Sequence, residues 1–337
     1  MKTWVLLRSA HKGKENRTGP PPSEDLNKCE DMWTLLFDKA LQKVGNTKGI
    51  IIKIGQSYTV RYNPYLIECR IPEVITFSLD KVDLIINRGG YIEYMPFCNE
   101  HNKTPLIYLG CGMRWNPYNE KWAWLNNLDP SCILVDSKQQ KEEIGQLANV
   151  EIFPKPALDH LFYPIYNIKK QYDLVYNCHR PEGFKGGPWL APRIPDGCKV
   201  LVIGPENKWL KEESDKGRIN VTFTGIVSKN KVPMLASQAK VGVVCDDGLC
   251  DSGPRVLPEF LALDIPVIVR NTVRADLDNY IQPLISGMVV GDDPAEFKMA
   301  LKRLSRNKAG RARSIYKTKF SLNCAADRLI KISKGIS

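Results

Sequence analysis

The sequence predicts an α/β protein of two doubly wound domains facing each other across a cleft, and three observations carry that prediction. Short apolar runs alternate with longer amphipathic stretches along the chain, as parallel strands joined by crossover helices do. The 337 residues exceed what one ordinary core requires and favour two domains. Between two such series lies FPKPALDHLFYPIYNIKKQ, whose three prolines and polar end mark a connector near residues 154–170. The expected domains are therefore residues 1–160 and 161–337, with the last helix packing back onto the first domain.

Taken in order, the first domain offers strands at residues 3–8, 49–54, 83–87, 105–110 and 132–135, with helices near 25–44 and 138–147. The loop AHKGKENRTGPPPSED after the first strand is rich in turn formers and charge, and is expected to be mobile at the cleft mouth. Across residues 56–78 the alternation is confused, which suggests an irregular or hairpin insertion. In the second domain, residues 172–178, 199–203, 221–223, 241–244 and 266–269 are continuous apolar runs, as strands buried on both faces should be. Helices are expected at 231–239, 255–263 and 294–305.

Composition excludes several classes. With 43% hydrophobic and 25% charged residues the chain is too apolar to be disordered. Lys and Arg number 48 against 37 Asp and Glu, giving a net charge of +11 and a surface that attracts anions. The basic run from Lys302 to Lys319 is, on the plain reading, a solvated helix face. Ten cysteines form no CxxC and are read as free thiols, which suits a reducing, cytoplasmic compartment. The apolar run from Trp4 to Leu7 is too short for a signal peptide, and no stretch reaches about 18 apolar residues, so membrane contact would be peripheral. No strand leads into Gly-x-Gly-x-x-Gly, because GCGMRW lacks the third glycine, and this argues against a nicotinamide-dependent oxidoreductase. Basic stretches with interleaved aromatics are absent, which argues against nucleic acid, although a noncatalytic basic binding protein for nucleic acid remains the alternative.

The segment DSGPRVLPEFLALDIPVIV, residues 251–269, carries the chemistry. Asp251, Ser252 and Gly253 form a turn between an apolar strand and a helix, where free N–H groups and the helix dipole favour an anion. Gly253 would let a phosphate approach without a side-chain clash. Glu259 lies just over one turn inside the helix, in reach of ribose hydroxyls. The plain reading is an ordinary helix cap and a solvated glutamate.

The acid, seven intervening residues, glutamate and the following Asp-Ile-Pro-Val-Ile-Val resemble the signature of retaining glycosyltransferases of GT-B fold, most closely the fourth glycosyltransferase family. This chain departs from the family pattern by placing Asp251 first, Gly253-Pro254 in place of aromatic-Gly, and Asp264 where glycine is usual. Upstream, Arg180 and Lys185 in HRPEGFKGG resemble the family's Arg-x4-Lys-Gly element. VTFTGIVSKNKVPMLASQAKVGVV resembles the base-pocket segment, and CILVDSKQQKEEI and FPKPALDHLFYP resemble the late first-domain step and the connector.

The resemblance implies two Rossmann-like domains and transfer of a hexose from a nucleotide diphosphate sugar to an acceptor hydroxyl with retention. It places the diphosphate at Arg180, Lys185 and the amides of Ser252 and Gly253, the ribose at Glu259, the base at Gly225, Ile226 and Val227, and the sugar hydroxyls at Asp251. GDP-mannose leads among donors, ahead of UDP-glucose and UDP-N-acetylglucosamine. No metal or other cofactor is required on this account, since Arg and Lys supply the charge, and Asp246-Asp247 reads as a turn. A glycan, protein or lipid-linked acceptor would meet the first domain, where Arg88, Gly89, Gly90, Gly110, Gly112 and Arg114 are candidates in place of the family's usual histidine. Homodimerisation is left open.

Overall fold

A computed structural model describes residues 1–8, 25–26, 29, 31–54, 57–71, 79–88, 94–110, 129–144, 149–178, 183–247, 254–306 and 309–336. They pack as two compact units, Met1–Phe153 with Leu322–Ser337 and Pro154–Ser321.

The first unit is built on strands β1 (Lys2–Arg8), β2 (Thr47–Ile54), β3 (Tyr58–Asn63), β4 (Leu66–Ile71), β5 (Leu84–Arg88), β6 (Leu106–Leu109), β7 (Cys132–Val135) and β8 (Val150–Ile152). Its helices are α1 (Met32–Val44), α2 (Met95–Glu100) and α3 (Lys138–Ile144). One sheet has the order β3-β4-β2-β1-β5-β6-β7-β8, and all its pairs are parallel apart from the β3/β4 hairpin. Val5 and Leu7 of β1 and Ile50 and Ile52 of β2 pack on one face with Tyr94, Phe97 and Cys98. Leu6, Ile86 and Leu109 line an apolar cavity with Trp33, Leu36 and Phe37 of α1 and Leu329 near the C-terminus. Burial on both faces is why these strands read as unbroken apolar runs.

Two local expectations change, and a third, left between an irregular and a hairpin insertion, becomes definite. The helix expected from residue 25 begins at Met32, because the Asp31 carboxylate accepts from the Trp33 amide at 3.1 Å and the Thr34 hydroxyl at 2.9 Å. Such a cap fixes the first turn. The confused stretch resolves into the β3/β4 hairpin, in which Asn63 Oδ1 accepts from the Tyr65 amide at 3.1 Å. The helix expected at 231–239 is a 3₁₀ turn at Lys229–Lys231 followed by only five helical residues, since Ala239 already starts the next strand.

The second unit has β9 (Tyr172–Asn177), β10 (Lys199–Ile203), β11 (Asn220–Phe223), β12 (Ala239–Val244), β13 (Val267–Arg270) and β14 (Gly287–Val290). Its helices are α4 (Gly187–Leu190), α5 (Lys208–Asp215), α6 (Val232–Ala236), α7 (Val256–Ala262), α8 (Leu277–Tyr280), α9 (Pro294–Leu304) and α10 (Arg311–Lys319). The strand order is β11-β10-β9-β12-β13-β14, parallel throughout. Leu174, Tyr176, Val202, Val243 and Ile268 pack with Trp189, Leu190, Phe297 and Leu304 on one face. On the other, Gly242 lies so close to the Phe260 ring that a Cβ there would meet it at 2.5 Å. The connector joins this unit: Pro154 to Leu158 are buried, Tyr280 Oη donates to the Lys155 carbonyl at 3.1 Å, and Arg313 Nη1 donates to that of Phe162 at 3.1 Å.

The final helix, α11 (Leu322–Gly335), returns to the first unit and packs on α1. Leu322, Ala325, Ala326 and Leu329 form its buried stripe, and Lys43 Nζ meets Asp327 Oδ1 at 2.6 Å on the exposed side.

Candidate active site

In the second unit the chain winds outward from β9 through β10 to β11, then returns to lay β12 against the other edge of β9. Strand order reverses between β9 and β12, and a crevice opens outside the carboxyl ends of strands at such a point. The segments that follow these two strands are those carrying Arg180 and Lys185, and Asp251, Ser252 and Gly253.

Lys185 sits in a 3₁₀ turn at Gly183–Lys185, with its side chain half-buried. Its carbonyl accepts from Tyr176 Oη at 2.6 Å, and Cys245 Sγ, just after β12, lies 3.5 Å away. Burial, with the neighbouring Cys245, Cys178 and Asp246, pushes the Tyr176 hydroxyl well above the ordinary tyrosine range, so it remains a donor. Burial and the charge of Asp246 likewise push the Cys245 thiol up. Gly186 has φ of 87°, and a Cβ there would lie 1.9 Å from the Cys245 carbonyl oxygen. The turn after β9 is thus seated directly on the backbone that leaves β12. Neither Tyr176 nor Cys245 is visible as a site residue in the sequence, where both read as ordinary strand and core positions.

Glu259 is half-buried in the first turn of α7. Burial raises its carboxyl above the usual range, and the charges of Lys229 and Arg255 partly offset this. Lys229, in the 3₁₀ turn after β11, is a second cation that sequence reasoning missed, because it reads as one surface lysine among many. Gly225 has φ of 67° between β11 and that turn, and Ile226 beside it is 86% exposed, with Val227 half-buried. Thr224 Oγ1 accepts from the Gly204 amide at 3.2 Å, which ties this loop to the end of β10. Lys185, Gly225 to Val227 and Glu259 therefore all follow strands β9, β11 and β12 at one sheet edge.

In the first unit Arg88 ends β5, with its guanidinium 5.3 Å from the centre of the Trp33 ring. Gly110 is buried just past β6, and its carbonyl accepts from Gln140 Nε2 at 3.0 Å. Arg180, Asp251, Ser252, Gly253, Gly89, Gly90, Gly112 and Arg114, and the loop at residues 10–24, lie outside the described residues. Among the described residues no three His, Cys, Asp or Glu side chains gather as a metal site. None of the described helices is long and apolar enough to cross a membrane.

No protein-family model matches the chain, and no curated protein matches it in sequence. Solved structures do match over its length. Sucrose-phosphate synthase from Thermosynechococcus elongatus superposes with a TM-score of 0.68 at 13% identity, covering 100% of this chain and 99% of that one. A glycosyltransferase from Rickettsia africae gives 0.66 at 14%, covering 99% and 98%. Anabaena HepE, in complex with UDP, gives 0.64 at 11%, covering 99% and 100%. The fold is that of the GT-B glycosyltransferases.

Proposed function

We propose that the chain is a retaining, metal-independent glycosyltransferase that moves a hexose from a nucleotide diphosphate sugar to an acceptor hydroxyl. One observation carries the reading: strand order reverses between β9 and β12, the two strands that in sequence precede Arg180 with Lys185 and Asp251 to Gly253. The donor diphosphate would rest near Arg180, Lys185 and the Ser252 and Gly253 amides, its ribose at Glu259, its base along Gly225 to Val227, and its sugar at Asp251. The acceptor, a glycan, protein or lipid-linked saccharide, would be recognised by the first unit around Arg88 to Gly90 and Gly110 to Arg114.

Departure of a nucleoside diphosphate concentrates negative charge on the leaving oxygens, so cations aimed there stabilise the transition state more than the ground state. A unit-charge pair 4 Å apart is worth roughly 4 kcal/mol at an effective dielectric of 20, against about 0–1 for an exposed salt bridge. GDP-mannose is the leading donor on the family resemblance; the UDP bound to the structural neighbour HepE supports UDP-glucose or UDP-N-acetylglucosamine.

Calorimetry with the three donors, each with and without chelator, tests the reading. One donor should bind equally well in both conditions, and Lys185→Ala should lower turnover more than about tenfold, or about 1.4 kcal/mol of barrier, with the fold intact. Loss of binding in chelator would overturn metal independence. Binding of duplex nucleic acid with a steep salt slope, and of no nucleotide sugar, would select the basic binding protein that the net charge of +11 favours.

A further inference from the structure

Four neighbouring strands of the first unit end in a line of cations. The register pairs Arg70 of β4 with Lys53 of β2, Lys53 with Arg8 of β1, and Arg8 with Arg88 of β5. Paired residues of parallel strands share a face and lie about 4.8 Å apart. The four side chains therefore form one row at the carboxyl edge of the sheet, where open α/β sheets take their ligands. It lies on the α1 side, since Arg88 covers the Trp33 ring and Arg8 Nη1 meets the Asp31 carboxylate at 2.8 Å.

Four cations at this spacing repel one another, and the described carboxylates meet that repulsion only in part. Asp31 serves Arg8 and, as the helix cap, is tied to the Trp33 amide. Burial alone would raise Asp31, but the charges of Arg8 and Lys53, with hydrogen bonds from Thr34 and Trp33, hold it below the usual carboxylate range. Glu68 is fully buried and meets Lys53 Nζ at 2.7 Å, while also accepting from the Tyr58 and Tyr62 hydroxyls at 2.9 Å each. Its charge is directed beneath the row. No described carboxylate lies within ion-pair reach of Arg70, whose guanidinium stands 5.3 Å from the centre of the Tyr58 ring. The Nε atoms of Arg8 and Arg70 are buried without an acceptor among the described residues. Buried donors of this kind ordinarily have a partner. Lys53 and Arg8 keep 17% and 13% of their side chains exposed, so the row can be reached.

We infer that the row Arg70, Lys53, Arg8 and Arg88 is a subsite for an oxyanion, a phosphate or carboxylate, carried by an acidic acceptor. The word acceptor rests on the glycosyltransferase reading; the anion subsite rests on the row alone. Guanidinium groups suit the ligand because their planar forks bind carboxylate and phosphate oxygens in pairs.

The test uses the full chain saturated with GDP or UDP, which occupies any phosphate site of the second unit, and titrates inorganic phosphate, glucose 6-phosphate, glucuronate and glucose by calorimetry. Inorganic phosphate and at least one of the two acidic sugars should bind saturably, at least about tenfold tighter than glucose, and the sugar that binds identifies the oxyanion. Arg70→Met and Arg70→Gln should each weaken that binding about tenfold or more, and Arg70→Lys much less; thermal melts establish that the variants fold. Anion affinity that is unchanged in folded Arg70→Met or Arg70→Gln, or that is lost in Lys185→Ala instead, would overturn the subsite, as would glucose matching both glucose 6-phosphate and glucuronate. The nucleotide arm separates the two readings. Arg70-dependent phosphate binding without nucleotide binding keeps the subsite and removes the transferase, and the converse removes only the subsite.

Discussion

Asp264 occupies a position where the family resemblance expects glycine, and the backbone explains both choices. Its φ is 62°, in the left-handed region that glycine enters without strain. The aspartate is kept there because its carboxylate accepts from the amides of Gly310 and Arg313, the latter at 2.9 Å, at the start of α10. Asp264→Ala, which retains the strain and loses the cap, should lower stability in urea by about 1–2 kcal/mol, and Asp264→Gly by less. Gly186→Ala should be worse, at about 3 kcal/mol or more, because it combines a left-handed backbone with a Cβ driven into the Cys245 carbonyl. It should also weaken nucleotide binding, measured by calorimetry, since Lys185 precedes it. For Glu259 the folded carboxyl lies above its ordinary 4.5, so between that pH and the raised value the native state holds more proton than the unfolded chain. Its contribution is therefore full below pH 4.5 and is lost as pH rises through the folded value. Urea melts should show wild type losing stability relative to Glu259→Gln over that rise. Lys185 and Glu259 could be expected from the family resemblance. Tyr176, Cys245 and Lys229 could not, because a strand tyrosine, a buried thiol and a surface lysine have no local signature; their partners lie far along the chain.

The buried strands were the elements most legible in the sequence. β1, β2, β5, β7, β9, β10, β12 and β13 are covered on both sides, and burial on two faces writes itself as an uninterrupted apolar run. β8 and β14 were missed for opposite reasons. The first has only three residues, VEI, at a sheet edge, too few to show a period. The second opens on Gly287, which reads as a turn but is required because a Cβ there would lie 2.3 Å from the Val267 carbonyl oxygen. Helix α11 is amphipathic enough to be expected, yet its packing face becomes clear only against α1. Leu329→Ala would enlarge the cavity bounded by Leu6, Trp33, Leu36, Phe37, Ile86 and Leu109, and should lower stability by about 2–4 kcal/mol in chemical denaturation.

At the scale of the molecule, two largely parallel sheets followed from the alternation of runs; the division between domains was expected at residues 160 and 161, and the first compact unit ends its first span at Phe153. A proline-rich stretch suggests separation, and proline does occupy it, but Pro154 to Leu158 are buried and fastened by Tyr280 and Tyr316, with Arg313 holding Phe162 just beyond, rather than left as a bare tether. Composition cannot register such fastening, which depends on residues more than a hundred positions away. The second sheet is made from one uninterrupted span, Pro154–Ser321, and the first needs Leu322–Ser337 as well. A ribosome delivers those two portions of the first unit before and after the whole of the second. The second unit can finish its own collapse while α1 still waits for the helix that covers it, so the first unit can close fully only after the second has been made.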